Sequence, residues 1–261
     1  MKKTLIDKIP FELPRDISVL LSGYPIYDSS SSPEARVYYI AREGGYYLKI
    51  SSRGALSGEA EMSEYFASLG LGVAPVAYYS DERDILLSPS VDGEDLTAER
   101  YLSRPARLAE LLGEELRRLH EVDFSGCPRR NRLGEYISTV EKNYLSGEYD
   151  KSHFPDSFGY TSAEEAYAVF SEGRSLLVAD TLIHGDYCLP NIIFKDGGLS
   201  GFIDLGSGGV ADRHIDLFWG AWTLGFNLGT DKYRDRFFDA YGRDRINTDL
   251  IRVIAAAEVF A

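Results

Sequence analysis

Residues 184–191 read HGDYCLPN, so His184, Asp186 and Asn191 fall within eight positions, and the apolar segment LSGFIDLG then delivers Asp204. An amide oxygen and a carboxylate are hard donors of the kind Mg²⁺ accepts, with water and phosphate oxygens completing its shell. NIIF and LSGFIDL flank the turn signal KDGG and read as a hairpin near 196–198, which brings Asn191 opposite residue 203 or 204. Asn191 and Asp204 then converge as metal ligands. Asp186, five residues upstream, is left beside that ion and able to accept the proton of an attacking hydroxyl. Asp and Asn more commonly cap turns, but capping leaves Asp204 unexplained. More than one role is open to His184, of which a hydrogen-bonding brace for the loop is favoured, and Cys188 reads as a small buried residue, since no base is evident near it.

A second pair sits far upstream. The run ARVYYIAREGGYYLKI, with its Gly-Gly turn at 44–45, reads as a β-hairpin in whose second strand Tyr47 and Lys49 share one face and Leu48 and Ile50 the other. A helix is expected over about 57–69, because Met62, Phe66 and Leu69 recur at helical spacing before Gly70. Glu59 lies on that stripe and needs a cationic partner, whereas Glu61 and Glu64 lie off it. Two readings of Lys49 stand: a solvated strand residue, or the partner of Glu59 in the arrangement that kinase-type folds use to hold the α- and β-phosphates of ATP.

The elements that must carry these groups divide the chain. VAPVAYYS and DILLSPSV read as further strands, giving a small sheet with one helix. From about residue 98 the pattern turns helical, with Leu108, Leu111, Leu112, Leu116 and Leu119 on one stripe. A short β-rich island over 181–205 interrupts it. The expectation is an α+β protein with a nucleotide-binding lobe over 1–90 and a catalytic, acceptor-binding lobe over 91–261. A formal net charge of −13 repels nucleic acid and favours a cationic small-molecule partner. Two cysteines, Cys127 and Cys188, form neither a disulfide framework nor a metal motif. No apolar run has the length of a signal peptide or membrane span, so a soluble, cytoplasmic protein is expected.

HGDYCLPNIIF, GFIDLG, GVADRHIDL and LLSPSVDG resemble the aminoglycoside 3'-phosphotransferases, the kanamycin kinases, along nearly the whole chain. The resemblance implies a two-lobed protein-kinase-like fold and Mg²⁺-ATP-dependent phosphorylation of an aminoglycoside hydroxyl, by a monomer or weak dimer. It implies Asp186 as catalytic base, Asn191 and Asp204 as Mg²⁺ ligands, and Lys49 with Glu59 as the phosphate-positioning pair. It further implies that Tyr47 stacks on adenine, that the backbone at Pro89 and Val91 hydrogen-bonds its edge, and that the loop at Ser31 and Ser32 covers the phosphates. Acceptor-binding carboxylates are implied at Asp150, Asp156 and Glu258.

The chain also departs from that pattern. Phe226 and Asn227 stand where relatives often carry paired acids, Ala257 precedes Glu258 where another acid is common, and Ser207 replaces a usual arginine. A kinase of another amino sugar, amino alcohol or antibiotic therefore remains an alternative, as does a non-catalytic nucleotide-binding protein. A protein kinase fits less well, because the loop reads HGD rather than HRD.

Overall fold

The computed structural model describes residues 3–30, 35–149 and 158–261. Ser31, Ser32, Asp150 and Asp156 lie outside them. The chain forms two compact units: Met1–Asp95 with Ile192–Gly206, and Leu96–Asn191 with Ser207–Ala261. A single cut at residue 90 therefore misses the segment 192–206, which belongs with the first unit.

The first unit opens with β1 (Thr4–Ile6), α1 (Arg15–Leu21), β2 (Ile26–Asp28), β3 (Ala35–Ile40) and β4 (Tyr46–Ser52). It continues through α2 (Ser57–Ser68), β5 (Ala77–Ser80), β6 (Arg83–Pro89) and β7 (Glu94–Asp95). Six strands make an antiparallel sheet in the order β1-β2-β3-β4-β6-β5. On β4 the period of two holds: Leu48 and Ile50 are buried with Tyr38, Ile40, Ile85, Leu87 and, from α1, Ile17 and Leu21. Tyr47 and Lys49 take the opposite face, in register with Ser88 and Leu86. α2 buries Ala60, Met62 and Phe66 and leaves Glu61 and Glu64 exposed. The strands β9 (Ile192–Lys195) and β10 (Gly198–Phe202) form the downstream hairpin, with Ile192 opposite Phe202 and β7 on its other edge. It is fastened to the end of α2, because Phe202 donates its N–H to the Leu71 carbonyl (2.8 Å) and its ring meets Phe66 edge to face. That contact is why residues 192–206 join the first unit.

The second unit contains α3 (Glu99–Leu102), α4 (Pro105–His120), α5 (Arg132–Ser146), α6 (Ala163–Gly173) and β8 (Thr181–Ile183). After the hairpin come β11 (Gly209–Ala211), α7 (His214–Leu228), α8 (Arg234–Tyr241) and α9 (Thr248–Ala257). α4 begins on Pro105, whose missing N–H costs nothing at a helix start, and carries Arg117, Arg118 and His120 in its last turn, where they suit the helix dipole. Leu108, Leu112, Leu116 and Leu119 are buried, and Gly113 lets α8 approach so closely that a Cβ there would meet the Phe237 carbonyl at 2.4 Å. β8 pairs antiparallel with β11 through Leu182 opposite Val210. Around them α5, α6, α7 and α9 share one core that includes Tyr136, Phe170, Ile183, Phe218, Ile254 and Phe260. Among the described residues no helix is long and apolar enough to cross a membrane.

Candidate active site

In the first unit Lys49 meets two carboxylates. Its ammonium donates to Glu59 Oε1 at 2.5 Å and also to Asp204 Oδ1. Burial works to lower the lysine's pKa, but the paired charges of Asp204 and Glu59 outweigh it and hold the pKa above its ordinary value. Lys49 is thus a fixed cation rather than a solvated strand residue. Asp84 explains why α2 presents Glu59 correctly: its buried carboxylate accepts the N–H groups of Gly54 (2.9 Å) and Leu56 (2.8 Å), pinning the turn into the helix. Burial alone would raise the pKa of Asp84, yet those bonds and that from Ser80 lower it. Asp204 sits at φ +59°, a region costly for residues with a side chain and enriched at functional sites. Tyr47 packs beside Tyr39 with ring centroids 5.2 Å apart. Pro89 and Val91 flank Ser90, whose N–H bonds to the Gly45 carbonyl at 3.0 Å.

In the second unit the segment after β8 is held from below. Asp216, fully buried on α7, accepts the N–H of His184 at 2.8 Å through one oxygen and that of Gly185 at 2.7 Å through the other. His120 Nε2 lies 3.1 Å from the first oxygen, and since a carboxylate only accepts, this nitrogen donates; Nδ1 then accepts from the Tyr241 hydroxyl at 2.9 Å. Gly185 has φ +85°, and a Cβ there would lie 2.0 Å from the Ser207 carbonyl, so only glycine passes this bend. His184 is fully buried, and its Nδ1 accepts the Asp186 N–H at 3.2 Å, which is the bracing role expected of it. Asn191 donates its amide to Asp186 Oδ2 (2.8 Å) and to the Asp186 carbonyl (3.0 Å), which turns the amide oxygen away from Asp186. Burial raises the pKa of the Cys188 thiol, and the Asp186 charge raises it further, so it is a poor nucleophile.

Glu258 is more enclosed than an amine-binding carboxylate at the surface would be. It is 8% exposed, and Oε1 accepts the Tyr136 hydroxyl at 2.8 Å. Burial raises its pKa to about 7, the Tyr136 bond opposes that, the charge of Asp186 adds to it, and Arg132 and the Trp219 indole oppose it. Lys49, Glu59 and Asp204 are therefore brought together in one unit, and Asp186 and Asn191 in the other. Asn191 belongs to the second unit and Asp204 to the first. Among the described residues no three His, Cys, Asp or Glu side chains gather into a metal cage. An amide oxygen, as on Asn191, and a carboxylate, as on Asp204, are each hard donors of the kind Mg²⁺ accepts beside water and phosphate.

A profile of the phosphotransferase enzyme family matches residues 30–252. The chain belongs to that family. It is 49% identical, over 95% of both chains, to a Lactococcus lactis protein named "probable aminoglycoside 3'-phosphotransferase". A solved aminoglycoside 3'-phosphotransferase of type VIII superposes with a TM-score of 0.79, at 24% identity, covering 95% of this chain and 97% of the other. An aminoglycoside phosphotransferase from Streptomyces rimosus, solved with ADP and streptomycin, gives 0.73 at 24% identity, covering 94% and 97%. The expected α+β, protein-kinase-like fold is thus the fold of this phosphotransferase. Sequence reasoning missed Asp84, His120 and Asp216. The one available signal was GVADRHIDL, whose second aspartate is Asp216.

Proposed function

We propose that this phosphotransferase transfers the γ-phosphate of ATP to the 3'-hydroxyl of an aminoglycoside, and so confers resistance, working in the cytoplasm as a monomer or weak dimer. One observation carries the reaction class: Lys49 is clamped by Glu59 and Asp204 together, a cation fixed for phosphate oxygens beside a carboxylate suited to a divalent ion. The acceptor class rests on the 49%-identical relative. Asp186 accepts the proton of the acceptor hydroxyl, oriented by the amide of Asn191. Asn191 and Asp204 would hold Mg²⁺, which when bound neutralises charge on the phosphates. Lys49 aligns the phosphates, Tyr47 offers a ring to adenine, and the backbone at Pro89 and Val91 meets the base edge. Ser31 and Ser32 cover the phosphates, Asp150 and Asp156 supply negative charge for the acceptor's ammonium groups, and Glu258 adds to it where its buried carboxyl is ionised, above about pH 7.

A kinase of another amino sugar or amino alcohol is the second reading, favoured by Phe226, which is 71% exposed where the resembled family often carries paired acids. The deciding experiment is an ATP-dependent phosphorylation screen over aminoglycosides and small amino alcohols, with the phosphate located by NMR. Kanamycin should be modified at its 3'-hydroxyl, and an analogue lacking that hydroxyl should not. Equal turnover of the two would overturn the regiochemistry. Turnover of amino alcohols alone would overturn the acceptor class.

A further inference from the structure

α7 does more than brace the catalytic loop. Its Thr223 hydroxyl accepts the Leu189 N–H at 3.2 Å, three residues beyond Asp186, and one turn earlier the Trp219 indole lies beside Glu258, where it helps to hold down the pKa of that carboxyl. From Trp219 an aromatic row runs along the helix. Its ring meets Trp222 edge to face at 5.4 Å, and Trp222 stacks on Phe226 at 5.0 Å with only 13° between planes. The spacing 219, 222, 226 is that of one helix face. Phe226, 71% exposed, is the only exposed phenylalanine or tryptophan among the described residues. An aromatic row that begins on a carboxylate bonded within the core and ends in water has no packing reason to extend to Phe226. At its inner end the row lies beside Glu258, one of the residues assigned to the acceptor.

We propose that Trp222 and Phe226, backed by Trp219, are the platform on which a sugar ring of the acceptor stacks, so that this enzyme recognises part of its substrate by ring faces instead of by paired carboxylates. The face of an aromatic ring is negative and attracts both the C–H face of a sugar and a neighbouring ammonium group. The inference rests on the aminoglycoside reading given above and names the residues that set acceptor preference within it.

The chain holds two tryptophans, Trp219 and Trp222, so its intrinsic fluorescence reports on this row directly. Titrating the full-length protein with kanamycin, without nucleotide, should change the emission saturably. Phe226→Ala should weaken that Kd and raise the acceptor KM about twofold to fivefold, the worth of one exposed ring–cation contact. Trp222→Leu should weaken both further, the KM for ATP should not move, and Phe226→Tyr should restore wild-type values. The Phe226→Ala loss should persist in high salt, which screens exposed carboxylate contacts. If the wild type phosphorylates kanamycin while Phe226→Ala and Trp222→Leu leave Kd and KM unchanged, the platform is refuted and the acceptor class stands. If the wild type phosphorylates no aminoglycoside, the acceptor class itself fails and the platform falls with it. Concentration-dependent self-association abolished by Phe226→Asp would instead make the row an interface between copies and overturn the proposal.

Discussion

Asp216→Asn isolates the brace beneath the loop that carries Asp186. The wild-type carboxylate satisfies two buried backbone donors, one on each oxygen, at 2.8 and 2.7 Å, and a third from His120 at 3.1 Å. An asparagine is nearly isosteric but has only one acceptor oxygen, so in either orientation its NH₂ faces the N–H of His184 or of Gly185. One buried donor is then left without an acceptor, at a cost of about 1–3 kcal/mol. For a chain of this size that lowers Tm by about 2–10 °C. The same change releases the backbone two residues before Asp186, and a misplacement of about 1 Å can cost up to 10²-fold in rate. Steady-state turnover at saturating ATP and kanamycin should therefore fall about 10- to 100-fold, with the KM for ATP nearly constant, because Asp216 lies in the unit that does not carry Lys49. Thermal unfolding and a coupled ADP-release assay on the same preparation measure both effects. A variant with lowered Tm but wild-type kcat would show that Asp216 serves stability alone; an unchanged Tm would refute the accounting of donors.

Asp204→Ala should abolish Mg²⁺-dependent turnover even at high Mg²⁺ and ATP, whereas Lys49→Ala should recover partly as ATP is raised; the reverse pattern in a rescue titration would exchange their roles. Glu258, faced by Tyr136, Trp219, Arg132 and the charge of Asp186, keeps its proton in the folded state up to about pH 7, against about 4.5 for a free glutamate. Its contribution is thus fully present below about pH 4.5 and lost as pH rises through about 7, a change of about 3 kcal/mol. Between pH 5 and 8, where about 2.5 kcal/mol of that is lost, the wild type should lose about 5–10 °C of Tm relative to Glu258→Gln, read by thermal unfolding, and parallel curves would refute the buried proton. Cys188→Ala should keep nearly wild-type turnover, and alkylation of the native protein by iodoacetamide should be slow at this thiol; rapid inactivation by alkylation of Cys188 would contradict its raised pKa.

What the sequence disclosed was short-range. The β3–β4 hairpin, α2 and the facing of Lys49 follow from periodicities of two and 3.6, and Glu59 declared itself by falling on an apolar stripe. β1, β2 and α1 escaped, since three-residue strands and a seven-residue helix give too few repeats to show a period. Asp216 and Asp84 were illegible for a different reason: each acts on backbone N–H groups about 30 residues away, and no local pattern marks a carboxylate that will fold back on the main chain. The attachment of residues 192–206 to the first unit depends on Phe202 meeting Phe66 and Leu71, a tertiary contact invisible to a contiguous division of the chain. Glu258 was visible as an acid near the end of the chain, but its burial against Tyr136 required knowing where α5 and α9 pack.

The proposed mechanism turns on Asp186 taking the proton of the acceptor hydroxyl. The most direct measurement is kcat for kanamycin with Asp186→Asn, beside its affinity for ATP in the same buffer. With Asp186 as the base, kcat should fall at least about 10²-fold while ATP affinity stays near wild type, because the carboxylate would then act on the hydroxyl in the transition state. A variant that retains most of its turnover would contradict it.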